Sequence, residues 1–116
     1  MPIIEHSKAA VAEPYPGARS RALVNQDSGA AALTVGELTL AKDGGVPLHI
    51  HAGHEEAIMV IEGSVEAVLG DQKVTVGAGN TILAPAGVKH SLHNSASQPA
   101  RLITIFPTTS VQRTFF

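Results

Sequence analysis

The sequence predicts an all-β protein of a single domain. Short apolar runs bounded by turn-forming residues recur along its 116 residues, and no long apolar pattern of helical period replaces them, which is how sandwiches and barrels read. Eleven glycines and seven prolines in so short a chain break helices repeatedly. His49 and His51 stand two apart in one of the runs, and on a strand that spacing turns both rings to one face.

Taken in order, the first stretch is the least regular. Residues 1–19 read as an N-terminal arm, in which Ser7 to Glu13 suit one or two helical turns before Pro14. A helix that short is marginal in water, so the arm needs a surface to rest on. Residues 20–107 read as a barrel, with strands predicted at 21–25, 33–41, 46–51, 57–62, 64–69, 72–76, 81–84, 89–93 and 101–106. Gly70-Asp71 joins two of these runs and is a two-residue hairpin signal. The segments 42–45 and 77–80 are glycine-rich loops. Residues 108–116 read as a C-terminal tail ending in Phe115-Phe116, either frayed or docked as an apolar patch on a neighbouring subunit.

Composition narrows the function classes. Hydrophobic residues make up 44% of the chain and charged residues 16%, with a formal net charge of -2. That is a folded, nearly neutral protein, without the concentrated basic surface that nucleic acid requires. Cysteine is absent, which removes disulfides, thiolate nucleophiles and Cys-type zinc sites. The N-terminus has neither a basic start nor a long apolar run, and no stretch approaches a membrane span. A cytoplasmic protein with no membrane association is the expectation. With no Trp, one Tyr and three Phe, any pocket is expected to be aliphatic.

The chemistry concentrates in one place. His49, His51, His54, Glu55 and Glu56 fall within eight residues, and His90 follows after several strands. Imidazole and carboxylate are the ligands that divalent transition metals favour. Strand parity then proposes neighbours: if Glu56 points inward so do Ile58 and Val60, and if His90 points inward so does Leu92. These three are the pocket-lining candidates. His93, three residues past His90, takes the opposite face. His54 reads either as a solvated loop histidine or as a substrate-facing acid or base at the mouth. His54 and Glu55 are the candidates for proton transfer, which requires hydrogen-bond reach of the substrate.

His49-Ile50-His51-Ala52-Gly53-His54-Glu55-Glu56, followed by six residues and Gly63, resembles the first cupin motif. Gly79, Pro85-Ala86-Gly87, His90 and Asn94 match the second at every fixed position. Together the motifs, near 44–63 and 79–94, span about half the chain. One departure is small: the opening glycine falls at Gly44 or Gly45, one or two residues nearer His49 than the usual pattern. The resemblance implies a jelly-roll-like, RmlC-like β-barrel (a double-stranded β-helix) holding one divalent transition metal, whether Mn, Fe, Co, Ni, Cu or Zn. It implies His49, His51, Glu56 and His90 as the ligands, the spacing to Gly63 selecting Glu56 over Glu55. It further implies a small-molecule substrate or ligand and a homodimer. Similar small cupins include dioxygenases, isomerases, polyketide cyclases and a protein acting on unsaturated uronates. A metal-dependent enzyme is therefore the leading expectation, and a non-catalytic ligand-binding or metal-sensing module the alternative.

Overall fold

The computed structural model describes residues 2–116. Eleven strands follow one another: β1 (Val11–Tyr15), β2 (Ala18–Val24), β3 (Thr34–Leu40), β4 (Gly45–Ile50), β5 (Glu56–Glu62), β6 (Ser64–Leu69), β7 (Gln72–Gly77), β8 (Asn80–Ala84), β9 (His90–His93), β10 (Ala100–Phe106) and β11 (Thr114–Phe115). They form two antiparallel sheets, of order β1-β2-β3-β10-β5-β8 and β11-β4-β9-β6-β7. Among the described residues no helix is long and apolar enough to cross a membrane.

The core lies between the sheets. β5 buries Glu56, Ile58 and Val60 in strict alternation, and β10 buries Ala100, Leu102 and Phe106, the period-two pattern of strands with one face inward. β6 answers from the other sheet with Val65 and Ala67. β5 and β10 pair with Leu102 opposite Val60 and Thr104 opposite Ile58. Apolar side chains therefore fill one end of the sandwich, and Glu56 and Phe106 lie toward the other.

Turn chemistry fixes the registers. β6 and β7 close on Gly70-Asp71 with Leu69 opposite Gln72. Gly70 sits at φ 60, the left-handed first position of a type II′ hairpin. Gly45 opens β4 opposite His93, where any side chain would run into the Leu92 carbonyl. That close approach is why a glycine is needed there. Asn94, fully buried, donates to the Leu40 and Gln98 carbonyls and accepts from the Ala96 amide. It acts as a turn former and lies away from the histidine cluster.

The two ends of the chain differ from the sequence reading. The expected helical turns over Ser7–Glu13 shrink to a single 3-10 turn at His6–Lys8, and Val11–Tyr15 is a strand paired with β2. β-branched Val11 and the restriction Pro14 places on the residue before it favour extended backbone there. In the tail, Thr114 pairs with Ile50 and Phe115 with His49, so its last turn of chain becomes an edge strand beside β4.

Candidate metal centre

Four side chains from three strands and one loop converge inside the sandwich. β4 delivers His49 and, one residue past its end, His51; β9 begins with His90, directly paired with His49; β5, in the other sheet, begins with Glu56. All four are at most 5% exposed. One ligand atom from each lies within 4.8 Å of every other. His51 Nε2 is 3.2 Å from both His49 Nε2 and Glu56 Oε1, and His90 Nε2 is 3.2 Å from the same Oε1.

The outer ring nitrogens explain the orientation. His49 Nδ1 donates to the Pro47 carbonyl at 2.7 Å, His51 Nδ1 to the Gln112 carbonyl at 2.7 Å, and His90 Nδ1 to the Val88 carbonyl at 3.0 Å. A carbonyl oxygen has no hydrogen to give, so each Nδ1 carries one. In the neutral ring each Nε2 then presents its lone pair. Three lone pairs and a carboxylate aimed at one point, each histidine fixed from behind by a backbone acceptor, is the arrangement metal-ligating histidines adopt. The donor set fits a borderline divalent ion, and it lacks the thiolate a soft ion prefers.

Protons feel the same geometry. Burial, reinforced by the neighbouring rings of His90 and His51, lowers the His49 pKa from 6.5 to about 4. Burial pushes the Glu56 carboxyl up, but hydrogen bonds and charge from His51 and His90 outweigh it, so its pKa falls below the ordinary value. Burial lowers His90 as well, yet the bond to Glu56, the bond to the Val88 carbonyl and the Glu56 charge together override it, and the net shift is upward.

The cluster borders a cavity of about 230 Å³. Leu38, Val46, Ile58, Leu92 and Phe106 supply apolar wall; Ser20 and Thr104 add hydroxyls; Pro14, Tyr15 and Arg113 close it from the chain's two ends. Ile58 and Leu92 line it as parity suggested. Val60 does not: it points inward but sits deeper, opposite Leu102, in the apolar core. Nor do His54 and Glu55 reach this cavity. They line a separate, open depression with Gly53, Ala86 and Gln112. The loop between β4 and β5 turns His54 behind His51, where the rings stack 5.0 Å apart at 24°. There His54 Nε2 accepts the Gln112 amide at 3.1 Å. His93 is exposed, 3.7 Å from both Asp43 and Glu66.

Several lining residues were missing from the sequence reading. Thr104 and Phe106 share the inward parity of Leu102 on a strand that was anticipated, so their signal was available. Tyr15 and Arg113 carry none: Tyr15 ends a short edge strand, and Arg113 lies in irregular chain just before β11, placed by the pairing of Thr114 with Ile50.

A family model described as a cupin domain matches residues 36–106. A germin-like protein, subfamily 3 member 3, of Arabidopsis thaliana is 32% identical over 83 residues, covering 67% of this chain and 39% of that protein. The chain thus spans about two fifths of the length of that curated relative. Among solved structures, the polyketide cyclase RemF of Streptomyces resistomycificus superposes with a TM-score of 0.83 at 27% identity, covering 100% of this chain and 87% of that one. An RmlC-like cupin from Shewanella frigidimarina superposes with a TM-score of 0.78 at 18% identity, over 90% of this chain and 89% of that one, a likeness of fold alone.

Proposed function

The chain belongs to the cupin domain family, and from that membership and the convergence of its four buried donors we propose a metal-dependent enzyme acting on a small carbonyl compound. His49, His51, Glu56 and His90 hold one divalent transition ion from the set Mn, Fe, Co, Ni, Cu or Zn. When bound, such an ion acts as a Lewis acid that polarises a substrate oxygen. The observation that carries the reading is the set of three Nδ1–carbonyl bonds, which leave three Nε2 lone pairs facing one carboxylate.

The chain's own residues do the rest. The apolar walls bind the carbon skeleton and shed its water, which strengthens electrostatic effects inside. Thr104, Ser20 and Tyr15 offer hydroxyls to orient polar groups. Glu56 engages both rings through Oε1, while Oε2 accepts no hydrogen bond among the described residues and is the atom available to take a proton from substrate. His54 backs His51 and acts as a positioning residue, and Glu55 stays outside the reaction. Likeness to a polyketide cyclase across the full chain favours cyclase- or isomerase-type chemistry over oxygen insertion. Apart from the cluster, the cavity's only ionisable groups among the described residues are Tyr15 and Arg113, and that sparseness is what favours the second reading, a binding or sensing module. The proposal includes a homodimer, supported by exposed Leu33, Val74, Leu83 and Phe116; a monomer in sedimentation at micromolar concentration overturns that part.

The test is elemental analysis of protein purified without chelator or nickel resin, then a substrate panel on the loaded protein. One ion per chain and metal-dependent conversion of diketones without oxygen uptake are expected. Oxygen consumption with flavonols or catechols points to a dioxygenase instead, and tight binding without turnover to the module. No stoichiometric ion overturns the reading altogether.

A further inference from the structure

Arg113, an exposed residue, stands at the wall of the cavity beside the four-donor cluster, with no counterion among the described residues. Arg21 and Arg101 pair with glutamates on the outer face of the larger sheet; Arg113 enters no ion pair among the described residues. Its backbone is pinned on both sides. The Gln112 carbonyl accepts from His51 Nδ1, the Gln112 amide donates to His54 Nε2, and Thr114 pairs with Ile50. Its guanidinium carbon lies 5.6 Å from the centre of the Phe106 ring, and Phe106 in turn meets the His51 ring edge-on at 5.0 Å. A cation stacked on an aromatic face keeps its N–H fork in a defined plane, suited to a carboxylate.

The charge count around the cavity points the same way. Among the described residues, Glu56 is the only acidic side chain lining it, and Arg113 the only cationic one outside the cluster. With a divalent ion on the cluster, Glu56 offsets one of its two charges, and Arg113 adds a further positive charge nearby. Apolar walls make such an excess costly to leave uncompensated and attractive to an anion. Resting on the metal-enzyme reading above, we propose that the site selects a small organic carboxylate, its anionic group held by Arg113 and its carbon skeleton laid against the apolar wall beside the cluster.

The test uses benzoate and its neutral isostere benzamide, titrated calorimetrically into the manganese-loaded and the metal-free protein. A charge-assisted bond predicts that the wild type prefers benzoate by about tenfold or more. Arg113→Gln should bring the two ligands to within about threefold of one another while leaving the metal content unchanged, and Arg113→Lys should retain a preference for benzoate. Absence of a benzoate preference in the wild type overturns the proposal. So does a preference that survives in Arg113→Gln, since the ion alone then selects the anion, or one lost equally in Arg113→Lys, since the charge is then not what selects. Metal analysis of the same samples separates the two readings. If the wild type holds no ion, the enzyme reading fails, and Arg113 is judged on the metal-free titration, where Arg113→Gln must still abolish the preference.

Discussion

Replacing His51 with alanine removes a ring that lies 3.2 Å from both His49 Nε2 and Glu56 Oε1. Metal affinity should fall by more than about a hundredfold, beyond the usual effect of losing a partner behind a ligand, whereas His93→Ala, on the outer face, should leave it near normal. Competition with a chromophoric chelator measures both, and the reverse pattern would overturn the ligand assignment. Protons compete for the same atoms. His90 is shifted up by its bonds to Glu56 and Val88, so a proton competes for it more strongly than for a free imidazole, and ion uptake must displace that proton where it is bound. Affinity should therefore drop as pH falls below neutral. The metal-free fold has its own dependence. Between pH 6.5 and about 4 the unfolded chain protonates His49 and the folded chain refuses, so this residue's contribution is lost as pH falls through that window. Glu56, shifted down, loses its contribution at still lower pH. His90 runs the other way: its contribution is full below 6.5 and fades as pH rises through its elevated value. Thermal melts across pH should show the acid-side loss, reduced in a His49→Gln variant. Asn94→Ala would remove a fully buried amide that bonds two carbonyls and the Ala96 N–H, at about 2–3 kcal/mol by denaturant titration.

Strands with strong alternation were legible and short ones were not. The range 64–69 coincides with β6, and 57–62 and 101–106 fall one residue short of β5 and β10, because β5 and β6 alternate buried and less buried residues and all three are apolar runs between turn-forming neighbours. β1 and β11 were missed. Each is an edge strand: β1 pairs only with β2, across the two-residue turn at Pro16-Gly17 and with an irregular register, and the partner of β11, β4, lies more than sixty residues away. The same division governs the site. His49, His51, Glu56 and His90 sit on or next to strands, where parity aims them. His54 and Glu55 sit in a loop, where no period exists to read, and they line the neighbouring depression instead of the cavity beside the cluster. β11 carries a prediction of its own. Truncation after Val111 removes the Gln112 carbonyl that orients His51. Metal affinity should fall by about 10–100-fold with most of the sandwich intact, as ion titration alongside far-UV circular dichroism would show. Undiminished affinity would mean that the Val88 and Pro47 carbonyls suffice.

At the scale of the molecule, the two sheets share one apolar interior, and the motif spacing legible in the sequence joins them at a single point. Glu56 belongs to the six-stranded sheet; His49, His90 and the residue beyond β4 belong to the other. An ion held by all four stabilises only the packed arrangement, so saturating it at about a thousand times its dissociation constant should add about 4 kcal/mol to stability. Differential scanning calorimetry with and without chelator measures this. That division of donors also sets a clock. Stripping the cation requires the halves of the sandwich to breathe apart at one seam, so the rate at which an excess of scavenger empties the protein should plateau at the frequency of that opening, whatever the scavenger's strength.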